Sequence, residues 1–170
     1  MEDPRSMKTI TRSELLETAR KTFRMEAEAI RTLESRLTAD FEKVVWRIAE
    51  ARGRIVFTAI GKSAIIAQKI VATFNSTGTP ALFMHAGDAI HGDLGMIQPE
   101  DLIVCVSKSG ESPEIRLLVP LLRQLDNLLV AVVGNTDSFL ARQADLLLDT
   151  SVDQEACPNN LAPTSNTTAQ

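Results

Sequence analysis

Arg54-Ile55-Val56-Phe57-Thr58-Ala59-Ile60-Gly61-Lys62-Ser63-Ala64 decides the fold class. From Ile55 to Ile60 the run is apolar and rich in β-branched residues, without the polar alternation of a half-exposed strand. That is the pattern of a strand buried on both faces. It stops at a glycine, and Ile66, Ile70 and Phe74 then recur four residues apart, the spacing of one helix face. Strand, tight turn and helix make half of a βαβ unit. Similar apolar runs follow at Ala81–Met84, Leu102–Val106, Leu128–Val133 and Asp145–Leu148. Between them lie helical stripes, one through Ile115, Leu118, Leu122 and Leu125 and a shorter one from Ser138 to Ala144. Strands alternating with helices predict the α/β class with a parallel sheet of about five strands.

Outward from this core, residues 5–52 contain no Gly or Pro and read as helix. Thr11-Arg12-Ser13-Glu14 supplies cap candidates, and Leu15, Phe23, Ala27, Ile30 and Leu37 recur at roughly helical spacing. Thr38 or Asp40 starts a second helix carrying Phe41, Val44, Val45, Ile48 and Ala49. These apolar stripes exceed what one small sheet must cover, so a homo-oligomer, dimer or tetramer, is expected. The expected organisation is an N-terminal tail over 1–10, helices over 11–52, an α/β core over 53–150 and a C-terminal segment over 151–170.

Composition removes several classes. With 170 residues the chain is long enough to bury a core without staples. Lys+Arg of 18 against Asp+Glu of 22 gives a net charge of -4, unlike a dedicated nucleic-acid binder. The 2 cysteines, Cys105 and Cys157, make no disulfide framework and fit a reducing compartment. No apolar run approaches the ~20 residues of a membrane span, and the acidic start lacks a signal-peptide core, so the expected location is the cytoplasm.

In an open α/β sheet, ligands bind beyond the carboxyl ends of the strands where strand order reverses. The first strand ends on Gly61-Lys62-Ser63 and the third on Ser107-Lys108-Ser109-Gly110-Glu111-Ser112, each opening a helix. Hydroxyls, a glycine and helix-start N–H groups are what a phosphate needs. In a 2-1-3-4-5 order the two loops flank the switch point and converge on one ligand. Gly61-Lys62-Ser63 is not a Walker A motif: that loop needs a first glycine where Val56 stands, and no Gly-x-Gly-x-x-Gly is present at this turn. The histidines His85 and His91, with Asp88 and Asp93, match no standard zinc spacing, so no metal is expected. His91 reads better as a polar contact to a sugar. Glu114 sits one turn into the helix after the serine loop, facing the ligand or capping the helix, and Glu155 lies beyond the last strand, where a plain surface acid is the competing reading. Cys105 lies in an apolar strand and reads as core.

Five segments then occur in order: Gly61-Lys62-Ser63; Ser76-Thr77-Gly78-Thr79-Pro80; His91-Gly92-Asp93-Leu94-Gly95-Met96; Ser107-x-Ser109-Gly110-Glu111-Ser112-x-Glu114-Ile115; and Glu155-Ala156-Cys157-Pro158-x-x-Leu161-Ala162-Pro163-Thr164-Ser165. Together they resemble the sugar isomerase (SIS) domain of the KpsF/GutQ arabinose-5-phosphate isomerases, from about residue 15 onward. The serine loop is common to many SIS proteins; the segments at His91 and Glu155 are more specific. The resemblance implies a three-layer α/β/α sandwich with a five-stranded parallel sheet in the flavodoxin-like order 2-1-3-4-5. It implies interconversion of D-ribulose 5-phosphate and D-arabinose 5-phosphate, a precursor step to the lipopolysaccharide sugar Kdo, with no redox cofactor. Ser107, Ser109 and Ser112, with the backbone around Gly61 and Ser63, then bind the phosphate. Lys62, His91, Glu114 and Glu155 match the family's active-site positions.

The family pattern often has Gly where this chain has Ala59 and Ala64, and Asn where it has Lys108. Family members also continue into a Ser-His-Pro-Gly-Gly segment, whose histidine is an active-site residue, and often into CBS domains. The expectation for residues up to Gln170 is therefore an incomplete site, slow turnover, and final residues that fray or dock only on a partner. The alternatives are a non-catalytic sugar-phosphate-binding SIS module, as in transcriptional regulators, and an isomerase of another sugar phosphate.

Overall fold

The computed structural model describes residues 11–170, and the 1–10 tail lies outside the described residues. The strands are β1 (Ile55–Ala59), β2 (Ala81–His85), β3 (Leu102–Ser107), β4 (Leu129–Val133) and β5 (Leu146–Asp149). They form one parallel sheet in the order β2-β1-β3-β4-β5, as the sequence predicts. Registers such as Ile55↔Leu102 and Val130↔Leu146 align the apolar runs side by side. The helices are α1 (Arg12–Leu33), α2 (Ala39–Ala49), α3 (Gly61–Ser76), α4 (Ala86–Ala89), α5 (Pro113–Arg123), α6 (Phe139–Gln143) and α7 (Ser165–Ala169).

Alternate residues of each strand feed opposite faces, which gives two cores. Val56, Ile103, Cys105 and Ala131 pack with Ile115, Leu118 and Leu122 of α5 and with Leu140 of α6. Ile55, Phe57, Val104 and Val106 pack with Val44 of α2 and Ala64 and Ala67 of α3. The result is the expected α/β/α sandwich.

Local chemistry starts the helices. Thr11 and Glu14 form a capping box, with the Glu14 N–H donating to Thr11 Oγ1 at 3.3 Å and the Thr11 N–H donating to Glu14 Oε2 at 2.7 Å. Thr38 caps α2 by accepting from the Asp40 N–H. Helix α1 buries little of itself: Ala29 is its one buried residue, while Leu15, Leu16, Phe23 and Ile30 are all more than half exposed.

The amino end of the sheet is held by Asp101. Its carboxylate accepts from the Arg54 N–H at 2.8 Å and the Gln98 N–H at 2.8 Å, and pairs with the Arg54 guanidinium at 2.6 Å. Asn127 Nδ2 donates to the Asp101 carbonyl at 2.7 Å. Burial pushes the Asp101 carboxyl up, and the Arg54 guanidinium and these N–H groups more than reverse it, so it is held below its ordinary value. Ligands in open α/β sheets bind at the opposite, carboxyl edge. No helix among the described residues is long and apolar enough to cross a membrane.

Candidate functional site

Strand order reverses between β1 and β3, and the register Ala59↔Val106 brings their carboxyl ends side by side. The Gly61 turn and the serine loop are therefore neighbours. Gly61 has φ +61° and a Cβ there would meet nothing within 4 Å, so it is backbone conformation and not crowding that calls for glycine. Lys62 follows, exposed in the first turn of α3. Ser63 is half-buried.

The serine loop folds on its own hydroxyls. Ser107 Oγ accepts from the Gly110 N–H at 3.1 Å, and Ser109 Oγ accepts from the Glu111 N–H at 3.2 Å. Gly110 has φ +63°, and a Cβ there would lie 2.1 Å from Ser138 Oγ. Ser112 precedes α5, with Pro113 in the first turn, where its missing N–H costs nothing. Ser112 Oγ is buried and takes no partner among the described residues. Glu114 is half-buried in the first turn of α5. Glu111 is engaged elsewhere: the Phe139 N–H donates to Oε1 at 2.6 Å and Arg116 pairs with Oε2 at 2.5 Å. These contacts, the Phe139 N–H foremost, hold its carboxyl below the ordinary value.

The segment after β5 closes over the two loops. Glu155, 4% exposed, is no surface acid. Its Oε1 receives Lys108 Nζ at 2.5 Å. Its Oε2 receives the Thr164 N–H at 2.7 Å, the Thr164 hydroxyl at 3.1 Å and the Asn166 N–H at 3.2 Å. Burial alone pushes this carboxyl up; the Lys108 ammonium and the Thr164 and Asn166 N–H groups overturn that and bring it down to about 2. From Asn166 the chain of contacts runs on. Gln170 Nε2 donates to Asn166 Oδ1 at 3.1 Å, and the Ser63 hydroxyl donates to Gln170 Oε1 at 3.0 Å. One hydrogen-bonded path thus joins the β1 turn to the β3 loop through α7.

This path corrects the expectation of a frayed end. Ser165, Asn166 and Ala169 are buried within their own chain. The physical reason is that Glu155 binds the N–H groups at the start of α7, so a short polar helix docks by hydrogen bonds where it has no apolar face.

The remaining predicted residues are more dispersed. His91 is exposed in the turn after α4. His85 caps α4, its Nδ1 accepting from the Gly87 N–H at 3.2 Å, and it lies 3.8 Å from Asp88. Cys105 is buried, and burial pushes its thiol up to about 12, so it behaves as core. The Cys157 thiol is held below its ordinary value by the N–H groups of Ala162, Leu161 and Asn159. A largely apolar cavity of about 310 Å³ lies between the helices and the sheet, lined by Leu33, Phe41, Phe57, Val104 and Val132, with Gln170 of the path above at its wall. Sequence reading missed Asn166 and Gln170 as parts of the site. Only their polarity in a supposed helix start signalled them.

A family model described as the SIS domain matches residues 47–170. The chain belongs to the SIS domain family. It is 45% identical over 155 residues to a probable arabinose 5-phosphate isomerase of Haemophilus influenzae, covering 91% of this chain and 46% of that protein. It is 46% identical over 152 residues to the arabinose 5-phosphate isomerase KdsD of Francisella tularensis, covering 88% of this chain and 46% of that one. The chain spans about half the length of these curated relatives. Among solved structures, an E. coli CFT073 protein in complex with arabinose 5-phosphate superposes with a TM-score of 0.89 at 34% identity, covering 94% of this chain and 85% of that one. This SIS domain therefore shares its fold and much of its sequence with proteins named for one sugar phosphate.

Proposed function

We propose that residues 11–170 form the sugar isomerase domain of an enzyme that interconverts D-ribulose 5-phosphate and D-arabinose 5-phosphate. The observation that carries this is the pairing of the Gly61 turn with the serine loop at the switch point. The names of the relatives supply the sugar. In this reading the phosphate is bound by Ser107, Ser109 and Ser112 with the backbone at Gly61 and Ser63; the unpartnered Ser112 hydroxyl is the donor still to be used. Phosphate binding orients the reacting carbons at a distance from the chemistry. Lys62, His91, Glu114 and Glu155 surround the sugar. A base, which is Glu114, Glu155 or the histidine of the family's Ser-His-Pro-Gly-Gly segment, takes the proton from the carbon beside the carbonyl, an enediolate forms, and the proton returns to the neighbouring carbon. Lys62 stabilises the developing oxyanion. No electron leaves or enters, so the chemistry needs no redox cofactor.

The same reading includes a homo-oligomer. Phe23 at 76% exposure on α1 and Trp46 at 58% on α2 are large apolar side chains that their own sheet leaves uncovered. Formation of arabinose 5-phosphate from ribulose 5-phosphate, followed by coupled detection, tests the proposed activity. Absence of product at enzyme concentrations comparable to substrate rejects it.

A further inference from the structure

We propose that Lys108 is a positioning residue of this site: it clamps Glu155 as a fixed anion between the serine loop and the 155–170 segment. Its kinetic consequence rests on the isomerase reading; the clamp does not.

The argument begins with lone pairs. An ionised carboxylate offers about four acceptor positions. Glu155 takes four donors, Lys108 Nζ on Oε1 at 2.5 Å and Thr164 N, Thr164 Oγ1 and Asn166 N on Oε2 at 2.7, 3.1 and 3.2 Å, so both oxygens are tied down and Oε2 is saturated. A proton acceptor needs a basicity near the working pH, and the same donors hold that of Glu155 far below neutral.

Lys108 is in turn held at its backbone. Its carbonyl accepts from the Gly134 N–H at 3.0 Å. A Cβ on Gly134 would meet both the Lys108 carbonyl and Asn166 Nδ2 at 3.0 Å, so three chain segments touch at that glycine. Lys108 lies between Ser107 and Ser109, and its grip on Glu155 therefore couples the phosphate loop to α7. Its side chain is 48% exposed, so the fold does not depend on burying it. Of the carboxylates at this strand end, Glu111 is committed to Phe139 and Arg116 and Glu155 to Lys108.

The test uses Lys108→Met, Lys108→Arg and Glu155→Gln in the full chain. Without substrate, amide hydrogen exchange at Thr164 and Asn166 should rise at least tenfold in Lys108→Met and stay near wild type in Lys108→Arg. With ribulose 5-phosphate, Lys108→Met should raise KM more than it lowers kcat. Glu155→Gln, which keeps an acceptor for the α7 N–H groups but removes the charge that Lys108 grips, should raise the exchange at Thr164 and Asn166 as Lys108→Met does. Unchanged exchange in Lys108→Met overturns the clamp. An equal rise in Lys108→Arg overturns the role of the Lys108 charge. If wild type isomerises no pentose phosphate, the isomerase reading fails by itself. The exchange measurement still decides the clamp.

Discussion

Replacing Gly110 by Ala should destabilise the domain severely, and the cost follows from two local facts. The residue has φ +63°, a conformation that costs an L-residue about 1–2 kcal/mol. The added Cβ would lie 2.1 Å from Ser138 Oγ and 2.6 Å from Ser138 Cβ, and Ser138 is fully buried and caps α6. Forcing extra atoms into such a site costs roughly 1–3 kcal/mol more. The combined loss of about 2–5 kcal/mol corresponds to a fall in melting temperature of roughly 5–15 °C for a domain of this size. Thermal unfolding followed by circular dichroism measures it. Ser138→Gly removes both obstructing atoms, so in the double variant the penalty should shrink toward the backbone cost alone, a non-additivity that a double-mutant cycle reads directly. Gly95→Ala is the control: nothing lies within 4 Å of its Cβ and it should melt within about 2 °C of wild type. A Gly110→Ala protein that melts with the control, or a cycle that is additive, would refute the loop conformation on which the site is built.

Other outcomes follow from the same contacts. Ser109→Ala should weaken pentose phosphate binding by ~1–3 kcal/mol, the range for a hydrogen bond to a charged group, and calorimetry showing unchanged affinity would remove Ser109 from the site. Asp101→Asn breaks an ion pair buried on the Asp101 side and part-exposed at Arg54, and should cost about 2–4 kcal/mol in urea unfolding, with a loss under ~1 kcal/mol contradicting its anchoring role. Glu155 is held at about 2 against an ordinary 4.5, so the stability it contributes is complete above about pH 4.5 and is lost as pH falls toward 2. The gap amounts to about 3 kcal/mol at most, which the half-exposed Lys108 brings down to about 1–2 kcal/mol, read as the pH-dependent difference between wild type and Glu155→Gln. Phe23→Glu should shift sedimentation toward monomer at micromolar concentration; an unchanged oligomer, or a monomeric wild type, would contradict a role for α1 in assembly.

The sheet was legible because its strands lie between two helix layers, so Ile55–Ala59, apolar but for Thr58, and the wholly apolar Leu129–Val133 need no partner to be recognised. The starts of α1 and α2 were legible because Thr11 and Thr38 act on N–H groups two or three residues away. Glu155 was located as a candidate by its motif, but its burial was not foreseen. Its partners stand 47 residues before it and 9 to 11 after it, and no local pattern connects them. The docking of α7 escaped for a related reason. Asn166 and Gln170 are polar and are held by side-chain hydrogen bonds, whereas periodicity detects only apolar faces. His91 shows the opposite limit: its motif singles it out, yet it stands exposed after α4, and its place beside a sugar depends on a bound ligand.

The most direct test of the account is isomerisation of ribulose 5-phosphate in deuterium oxide by this protein, with the product examined by NMR. Proton transfer through an enediolate predicts arabinose 5-phosphate bearing deuterium at the carbon next to its aldehyde. Ribulose 5-phosphate recovered unlabelled and unconverted, with Ser109→Ala indistinguishable from wild type in phosphate binding, would contradict it.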